Sequence, residues 1–283
     1  MARQELTRFA PSPTGYLHLG HAFSAMFASK TAAQLGGRML LRMEDIDRQR
    51  CRPEFESAIS DNLAWIGLTW PMPVRRQSEH FADYTAALNQ LDEAGLLYPC
   101  FCTRAEIKAE IAESPSAPHG PDGPIYPGTC FSITPTEAAF RKARGESFGL
   151  RLNMAKALRK AGADLTFEDA TLGLIRADPA KFGDIILARK DTPTSYHLAV
   201  TVDDHTQGIT CVTRGDDLFE ATHIHRLLQQ LLNFETPRYA HHPLIQDADG
   251  HRLAKRSQAT TLNELRKQGL TPDAVRALIP ISV

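Results

Sequence analysis

The feature that most constrains the fold of this chain lies near its start, where an apolar segment turns abruptly into a helix. Leu6–Ala10 is typical of a buried strand, Pro11–Gly15 of a turn, and Leu19–Leu35 of a helix that is closed by Gly36 and Gly37. The N-terminus of a helix binds phosphate groups readily, because its first backbone N–H groups point at the ligand. The segment therefore predicts a nucleotide site between a strand and a helix.

Two histidines stand at the predicted start of this helix, in the sequence His18-Leu19-Gly20-His21. As hydrogen-bond donors they can bind the phosphates of a nucleoside triphosphate and stabilise the charge that grows when the α-phosphate is attacked. Gly20 leaves room for the ligand to lie against the backbone. The alternative is that His18 and His21 only cap the helix.

The order of the predicted elements indicates an α/β fold. A second strand, Arg38–Met43, ends in the acidic segment Glu44–Asp47; helices follow from Pro53 and over Ser78–Ala94. This order predicts a Rossmann-type parallel sheet with ligands at the carboxyl ends of its strands. Further on, the pattern predicts three strands and a helix with a buried apolar face: Ile185–Ala188, Tyr196–Val202, Ile209–Thr213, and the helix of Ile224, Leu227, Leu228 and Leu231.

Residues 98–183 are predicted to form an α+β insertion in this core. Capping boxes at Thr103 and Thr134 open two helices, and a Pro- and Gly-rich loop lies between them. The insertion also carries Cys100, Cys102 and Cys130, a soft set of thiols that favours zinc. The spacing leaves the fourth ligand open between Tyr126 and His119, and the alternative is that the cysteines are buried apolar groups.

Composition excludes some classes of protein. The chain has 283 residues and a formal net charge of -1, which argues against binding nucleic acid through bulk charge alone. It has no apolar run of membrane-spanning length and no signal peptide near Met1, so we expect a cytoplasmic protein. A basic run, Arg252–Arg256, could place a lysine on a triphosphate, although such runs are usually solvated surface.

These features together resemble the catalytic core of class I aminoacyl-tRNA synthetases, in particular the glutamyl-tRNA synthetase group. The similarity covers nearly the whole chain and is carried by the following segments: Arg8-Phe9-Ala10-Pro11-Ser12-Pro13-Thr14-Gly15, the HIGH-like motif His18-Leu19-Gly20-His21, Leu41–Asp47, Tyr196–Ala199, Val202–His205, Thr213–Asp217 and the KMSKS-like loop Arg252–Arg256.

The resemblance implies a role for each matched residue. Glutamate would be bound by Arg8, Phe9, Ala10, Pro11, Ser12, Glu44, Tyr196 and Arg214, with the two arginines on its side-chain carboxylate and Glu44 on its α-ammonium. ATP, accompanied by Mg²⁺, would be bound by His18, Gly20, His21 and Lys255, of which the two histidines and the lysine would be catalytic. One structural zinc would be held by Cys100, Cys102, Tyr126 and Cys130. Without the resemblance, the arginines would be read as structural ion pairs.

The resemblance also implies a domain division and a substrate. Residues 1–97 and 184–251 would form the catalytic core, 98–183 the zinc-binding insertion that resembles an acceptor-binding domain, and 252–283 the nucleotide loop with a short helical tail. Full synthetases continue into an anticodon-binding domain, so this pattern matches the branch of the family that transfers glutamate to queuosine at the wobble position of tRNA(Asp). The expectation is a monomer that binds L-glutamate, ATP and queuosine-bearing tRNA(Asp). The alternatives are a truncated glutamyl-tRNA synthetase and a tRNA-binding paralog without catalysis.

Two regions depart from the family pattern. Arg252 and Ala254 replace the usual lysine and serine of the nucleotide loop, and Val200 stands where some members have an asparagine near the amino acid. We expect a missing hydroxyl contact in the loop and a different recognition of glutamate.

Overall fold

A computed structural model describes residues 4–113, 119–121, 123–245 and 260–279, except the side chains of Glu113 and His119. Within these ranges the α-helices are α1 Leu19–Gln34, α2 Pro53–Trp65, α3 Phe81–Glu93, α4 Arg104–Glu113, α5 Pro135–Ala143, α6 Met154–Ala161, α7 Tyr196–Thr206, α8 Ala221–Leu232, α9 Leu262–Lys267 and α10 Pro272–Ala277. The strands are β1 Leu6–Phe9, β2 Arg38–Met43, β3 Arg75–Arg76, β4 Leu97–Cys100, β5 His119–Gly120, β6 Gly123–Pro124, β7 Gly149–Leu152, β8 Thr166–Asp169, β9 Gly173–Arg176, β10 Ile186–Ala188, β11 Cys211–Gly215 and β12 Arg238–His242.

The predicted parallel sheet is confirmed. Strands β1, β2 and β3 are paired in parallel, and so are β11, β12 and β8, with β9 antiparallel at the edge. The two groups meet where β1 lies beside β11, and the N–H of Thr210 donates to the carbonyl oxygen of Leu6 at 3.0 Å. Consequently the carboxyl ends of β1, β2, β11 and β12 lie along one edge.

One predicted strand is wrong. The segment Tyr196–Val202 belongs to helix α7, which continues to Thr206 and is capped at its N-terminus by Ser195, whose side chain accepts from the N–H of Leu198. Residues 198–204 of this helix are all buried, so no solvent-facing side interrupts the apolar pattern. Val200, Thr201 and Val202 also favour strands because they are branched at Cβ. Burial on all sides overrides both signals.

The predicted insertion contains a sheet of its own, formed by β10, β7 and β4 in antiparallel order. The proposed boundary at residue 183 does not separate every element, however. Strands β8 and β9 lie within 98–183 but belong to the sheet of β12, with β8 paired to β12 and β9 to β8, whereas β10 lies beyond 183 but pairs with β7. These exchanges join the insertion to the core on both sides.

The predicted C-terminal helices pack on the half of the core that contains β1, β2 and α1. Thr261 forms a capping box with Glu264, and the N–H of Leu262 donates to the carbonyl oxygen of Leu17 at 2.7 Å. Leu262 and Val275 are buried in the same apolar cluster as Phe9 and the strands of that half. Helix α9 therefore starts directly beside the first turn of α1. There Thr261 forms an isolated β-bridge with His18.

No helix in the described ranges combines the length and the apolarity that a crossing of the bilayer requires.

Candidate active site

A cavity of about 400 Å³ lies at the carboxyl edge of the parallel sheet. It is lined by every predicted glutamate and ATP residue that the structure describes, namely Arg8, Phe9, Ala10, Pro11, Ser12, His18, Gly20, His21, Glu44, Tyr196 and Arg214. These residues come from four separate parts of the chain. They meet because β1, β2 and β11 end at the same edge and α7 begins there.

Lys255, the remaining predicted residue, lies outside the described residues together with Arg252 and Ala254. The described residues on either side of that segment are at the cavity. Ile245 lines it, and Thr261 is bridged to His18. The position of Lys255 on the ATP phosphates stays a prediction.

The two histidines cap helix α1, and they also line the cavity. Nδ1 of His18 accepts from the N–H of Gly20 at 3.1 Å, and Nδ1 of His21 accepts from the N–H of His18 at 3.2 Å. A nitrogen that accepts a hydrogen bond carries no proton, so each neutral ring has its proton on Nε2. The alternative of capping and the predicted chemistry are therefore compatible: the cap fixes the tautomer in which Nε2 is a donor.

Arg8 and Glu44 belong to a buried ionic network. Asp204 accepts from Nε of Arg8 at 3.0 Å and from Nη1 of Arg42 at 2.8 Å, and Nη2 of Arg42 lies 3.2 Å from Oε1 of Glu44. Burial tends to raise the pKa of Asp204, but Arg8 and Arg42 outweigh it and the pKa is lowered. For Glu44 burial wins over both arginines, and its pKa is raised.

Arg214 has a different kind of environment. Its three guanidinium nitrogens contact neutral acceptors: Nε donates to His241 at 3.2 Å, Nη1 lies 3.1 Å from Nδ1 of His225, and Nη2 donates to Thr222 at 2.5 Å. Arg214 is only 6% exposed, yet no carboxylate of the described chain lies within the 4.0 Å of an ion pair. A buried cation without an anionic partner is unfavourable unless a ligand supplies one.

Tyr196 contributes a hydroxyl to the cavity. Its ring contacts His197 and His225, with centroids 5.5 and 5.7 Å away, whereas its hydroxyl has no hydrogen-bond partner among the residues described. Burial raises its pKa, so the hydroxyl stays protonated. It lines the cavity together with Arg214 and can donate to a bound ligand.

Several residues of the site were not predicted. Asp204 and Arg42 lie in segments that match the family, but neither was predicted to be part of the site. Two adjacent aspartates in an apolar segment are nevertheless a signal of buried charge. The cavity is also lined by Phe23, Ser24, Thr213, Gly215, Asp217, Leu218, His242, Leu244 and Ile245. Seven of these nine lie in the last residues of β11 or β12 or directly after them, so the ends of those strands could have indicated them.

The insertion brings its cysteines together. The sulfur atoms of Cys100, Cys102 and Cys130 lie within 4.8 Å of one another. The hydroxyl of Tyr126 lies 3.5 Å from Sγ of Cys100 and of Cys102, and it accepts from the N–H of Cys130 at 2.9 Å. Three thiols and a phenol thus converge as a four-ligand zinc site requires. The alternative ligand, His119, has a side chain outside the described part of the chain.

Comparison with known proteins gives one consistent family. Residues 5–280 match the catalytic domain of class I tRNA synthetases (E and Q). The chain is 47% identical over 285 residues to the glutamyl-Q tRNA(Asp) synthetase of Rhodobacter capsulatus, covering 97% of this chain and 99% of that one. It is 43% identical over 279 residues to the protein of that name from Symbiobacterium thermophilum, covering 95% and 83%.

The fold agrees with a solved structure from the same family. The glutamate tRNA ligase of Elizabethkingia meningosepticum, crystallised in complex with its amino acid, superimposes with a TM-score of 0.79 at 27% identity. The similarity covers 95% of this chain and 59% of that one, so the chain spans little more than half of that ligase.

Proposed function

The chain belongs to the class I tRNA synthetases of the glutamate and glutamine group and is an aminoacyl-tRNA-synthetase-like ligase; from this premise we propose that it activates L-glutamate with ATP and transfers it to queuosine in tRNA(Asp). The substrate and the acceptor are separate parts of the proposal, because different observations support them.

The buried guanidinium of Arg214 carries the proposal of glutamate as the substrate. It lines the same cavity as Glu44, so one cavity offers a cation for a side-chain carboxylate and a carboxylate for an α-ammonium. The hydroxyl of Tyr196 adds a donor beside them. Arg8 would bind from the neighbouring strand, although Asp204 already compensates its charge.

Activation needs no nucleophile from the protein. The α-carboxylate oxygen of glutamate attacks the α-phosphorus of ATP, a new P–O bond forms, and the bond to the β-phosphate breaks to release pyrophosphate. His18 and His21, with their protons on Nε2, would donate to the phosphates as negative charge develops. Lys255 would neutralise the same phosphates, and Mg²⁺ would enter with ATP. The positive N-terminal end of the dipole of helix α1 would also stabilise the negative charge on the phosphates.

Transfer then requires an acceptor hydroxyl. A hydroxyl of the queuosine cyclopentene ring would attack the carbonyl carbon of glutamyl-adenylate and form an ester bond, the bond from that carbon to the phosphate oxygen would break, and AMP would leave with the bonding electron pair and the proton of the hydroxyl. The choice of queuosine rests on similar proteins. The protein from Rhodobacter capsulatus, of which this chain covers 99%, is named a glutamyl-Q tRNA(Asp) synthetase. Positioning of the two reactants is the main contribution expected of the enzyme.

Zinc would be structural. Cys100, Cys102, Tyr126 and Cys130 fit the metal by number and by type, and none of them lines the cavity of the candidate active site. Burial tends to raise the pKa of Cys100, but Tyr126 and the Arg151 guanidinium lower it overall. Bound there, the metal would tie the loop around Tyr126 to strand β4.

One assay tests the proposal. The protein is incubated with ATP, labelled glutamate and tRNA(Asp) that carries or lacks queuosine, after the terminal adenosine has been removed enzymatically to block the 3′ end. We expect label only on the queuosine-bearing tRNA. If the protein instead charged unblocked tRNA(Glu), the acceptor would be a tRNA 3′ terminus and not queuosine. If it showed no glutamate-dependent pyrophosphate exchange, the proposed activation of glutamate would be rejected altogether.

A further inference from the structure

Three residues hydrogen-bond to the guanidinium of Arg214, namely His241, His225 and Thr222, and a fourth, Asp169, contacts His241. None of the four lines the cavity of the candidate active site. We propose that Asp169, His241, His225 and Thr222 form a cage that positions Arg214 through neutral contacts, without an ion pair to its guanidinium, and that this cage determines the selectivity of the site for a carboxylate side chain. The proposal rests on the proposed function of the cavity. It adds residues that do not touch the substrate and act through Arg214.

The cage is built by the regular elements of the fold. Arg214 on β11 is in register with His241 on the parallel strand β12, so the two side chains are neighbours. Thr222 and His225 are three residues apart on α8 and therefore share one face of that helix. Asp169 ends strand β8, which is the next strand after β12. The guanidinium also lies 5.5 Å from the centre of the Tyr239 ring.

The direction of every hydrogen bond in the cage follows from arginine being only a donor. His241 must accept at Nε2, so its proton is on Nδ1, which lies 2.7 Å from Oδ2 of Asp169. His225 must accept at Nδ1, so its proton is on Nε2, which lies 3.2 Å from Nδ1 of His197. The two histidines are thus fixed in opposite tautomers by their partners.

The cage is neutral wherever it touches Arg214. Burial, with the charge of Arg214, lowers the pKa of His241 to about 4, and burial lowers the pKa of His225 well below its usual range. Asp169 is ionised, because hydrogen bonds from His241 and from backbone N–H groups outweigh burial and lower its pKa. Its charge is separated from the guanidinium by the width of an imidazole ring. Three of the five N–H bonds of Arg214 are used by the cage, and two remain for a ligand carboxylate.

A first pair of variants tests neutrality. Thr222→Asp would place a carboxylate beside Nη2 of Arg214, whereas Thr222→Asn has the same shape without the charge. We expect Thr222→Asp to bind L-glutamate at least about tenfold more weakly than Thr222→Asn, because an internal ion pair competes with the substrate. ATP binding should be the same in both. Equal glutamate affinity of the two variants, measured by titration calorimetry, would overturn the proposal.

A second variant, Asp169→Asn, tests the tautomer. Oδ1 of Asp169 accepts from the N–H groups of Thr171 and Leu172, so the side-chain oxygen of the variant would stay there and its NH₂ group would face His241. His241 would then carry its proton on Nε2 and could no longer accept the hydrogen bond from Nε of Arg214. We expect ¹⁵N spectra of histidine-labelled protein to show this tautomer change, and glutamate affinity to fall at least about tenfold.

His223→Gln is the matched control. His223 lies on α8 between Thr222 and His225 and is equally buried, but it accepts from the N–H of Asp178 and does not contact Arg214. Its replacement should leave glutamate affinity unchanged. An unchanged His241 tautomer in Asp169→Asn, or a loss of affinity in His223→Gln as large as in Asp169→Asn, would reject the cage. If the wild-type protein bound no L-glutamate, the proposed function would fail, and the spectra of the free protein would still decide the arrangement of the cage.

Discussion

Two buried arginines, Arg214 and Arg42, should respond in opposite ways to the same substitution. Arg214 has only neutral partners, whereas Arg42 is completely buried against Asp203, Asp204 and Glu44. We expect Arg214→Gln to abolish tight binding of glutamate with little effect on stability. Arg42→Gln should instead destabilise the fold.

The magnitudes follow from the contacts. Two hydrogen bonds from Arg214 to a substrate carboxylate, at about 1.5–3 kcal/mol each, give about 3–6 kcal/mol, or a loss of roughly 10²–10⁴ in glutamate affinity. In the free protein, the three lost bonds of Arg214 are offset by no longer burying an unpaired guanidinium. Removing Arg42 leaves buried carboxylates uncompensated, which costs about 3–5 kcal/mol and lowers the melting temperature by roughly 6–20 °C.

Both quantities are measured on the same samples. Titration calorimetry gives the glutamate affinity, and thermal unfolding without ligand gives stability. We expect Arg214→Gln to melt within about 3 °C of the wild type. A ligand-free Arg214→Gln protein that melts as low as Arg42→Gln, while it still binds glutamate normally, would refute the assignment of Arg214 as an uncompensated cation kept for the substrate.

Three further predictions concern separate parts of the molecule. Elemental analysis should find about one zinc per chain; Cys130→Ser should lose it and unfold at lower temperature, whereas Cys211→Ser should retain it. His18→Asn should keep the cap of α1 and the stability of the protein but lower kcat by about 10²–10³, because the donor to the phosphates is lost; unchanged kcat would leave only the cap. Because the pKa of Glu44 is raised in the fold, the folded protein retains a proton that the unfolded chain has lost, so ionising Glu44 reduces stability as the pH rises. Glu44→Gln should therefore raise the melting temperature more at about pH 8 than at about pH 5, and an equal effect at both would contradict the assigned shift.

The sequence predicted the parts of the site that lie near strand ends. The turn after Leu6–Ala10 and the acidic segment after Met43 are local signals, and a parallel sheet necessarily brings them together. The three cysteines could also be predicted as a group, because a Cys-x-Cys pair with a third thiol nearby favours a metal site. The structure adds their convergence with Tyr126, which spacing alone left open.

Long-range partners of the charged residues could not be predicted in the same way. Asp204 is 196 residues from Arg8, and it faces inward only because α7 is a helix buried on all sides. The predicted strand Tyr196–Val202 ends before Asp203 and Asp204, so it gave no orientation for either carboxylate. Likewise, the apolar face of α8 at Ile224 and Leu227 is core as predicted, but the same pattern carries no information about what its polar residues contact.

The most direct measurement locates the transferred glutamate on the RNA. Queuosine-bearing tRNA(Asp) is incubated with the protein, ATP and labelled glutamate, digested to nucleosides and analysed by mass spectrometry. The account predicts the mass of one glutamyl group on queuosine and none on the terminal adenosine, with loss of the product in Arg214→Gln. Label on the terminal adenosine, or equal label on tRNA(Asp) without queuosine, would contradict it.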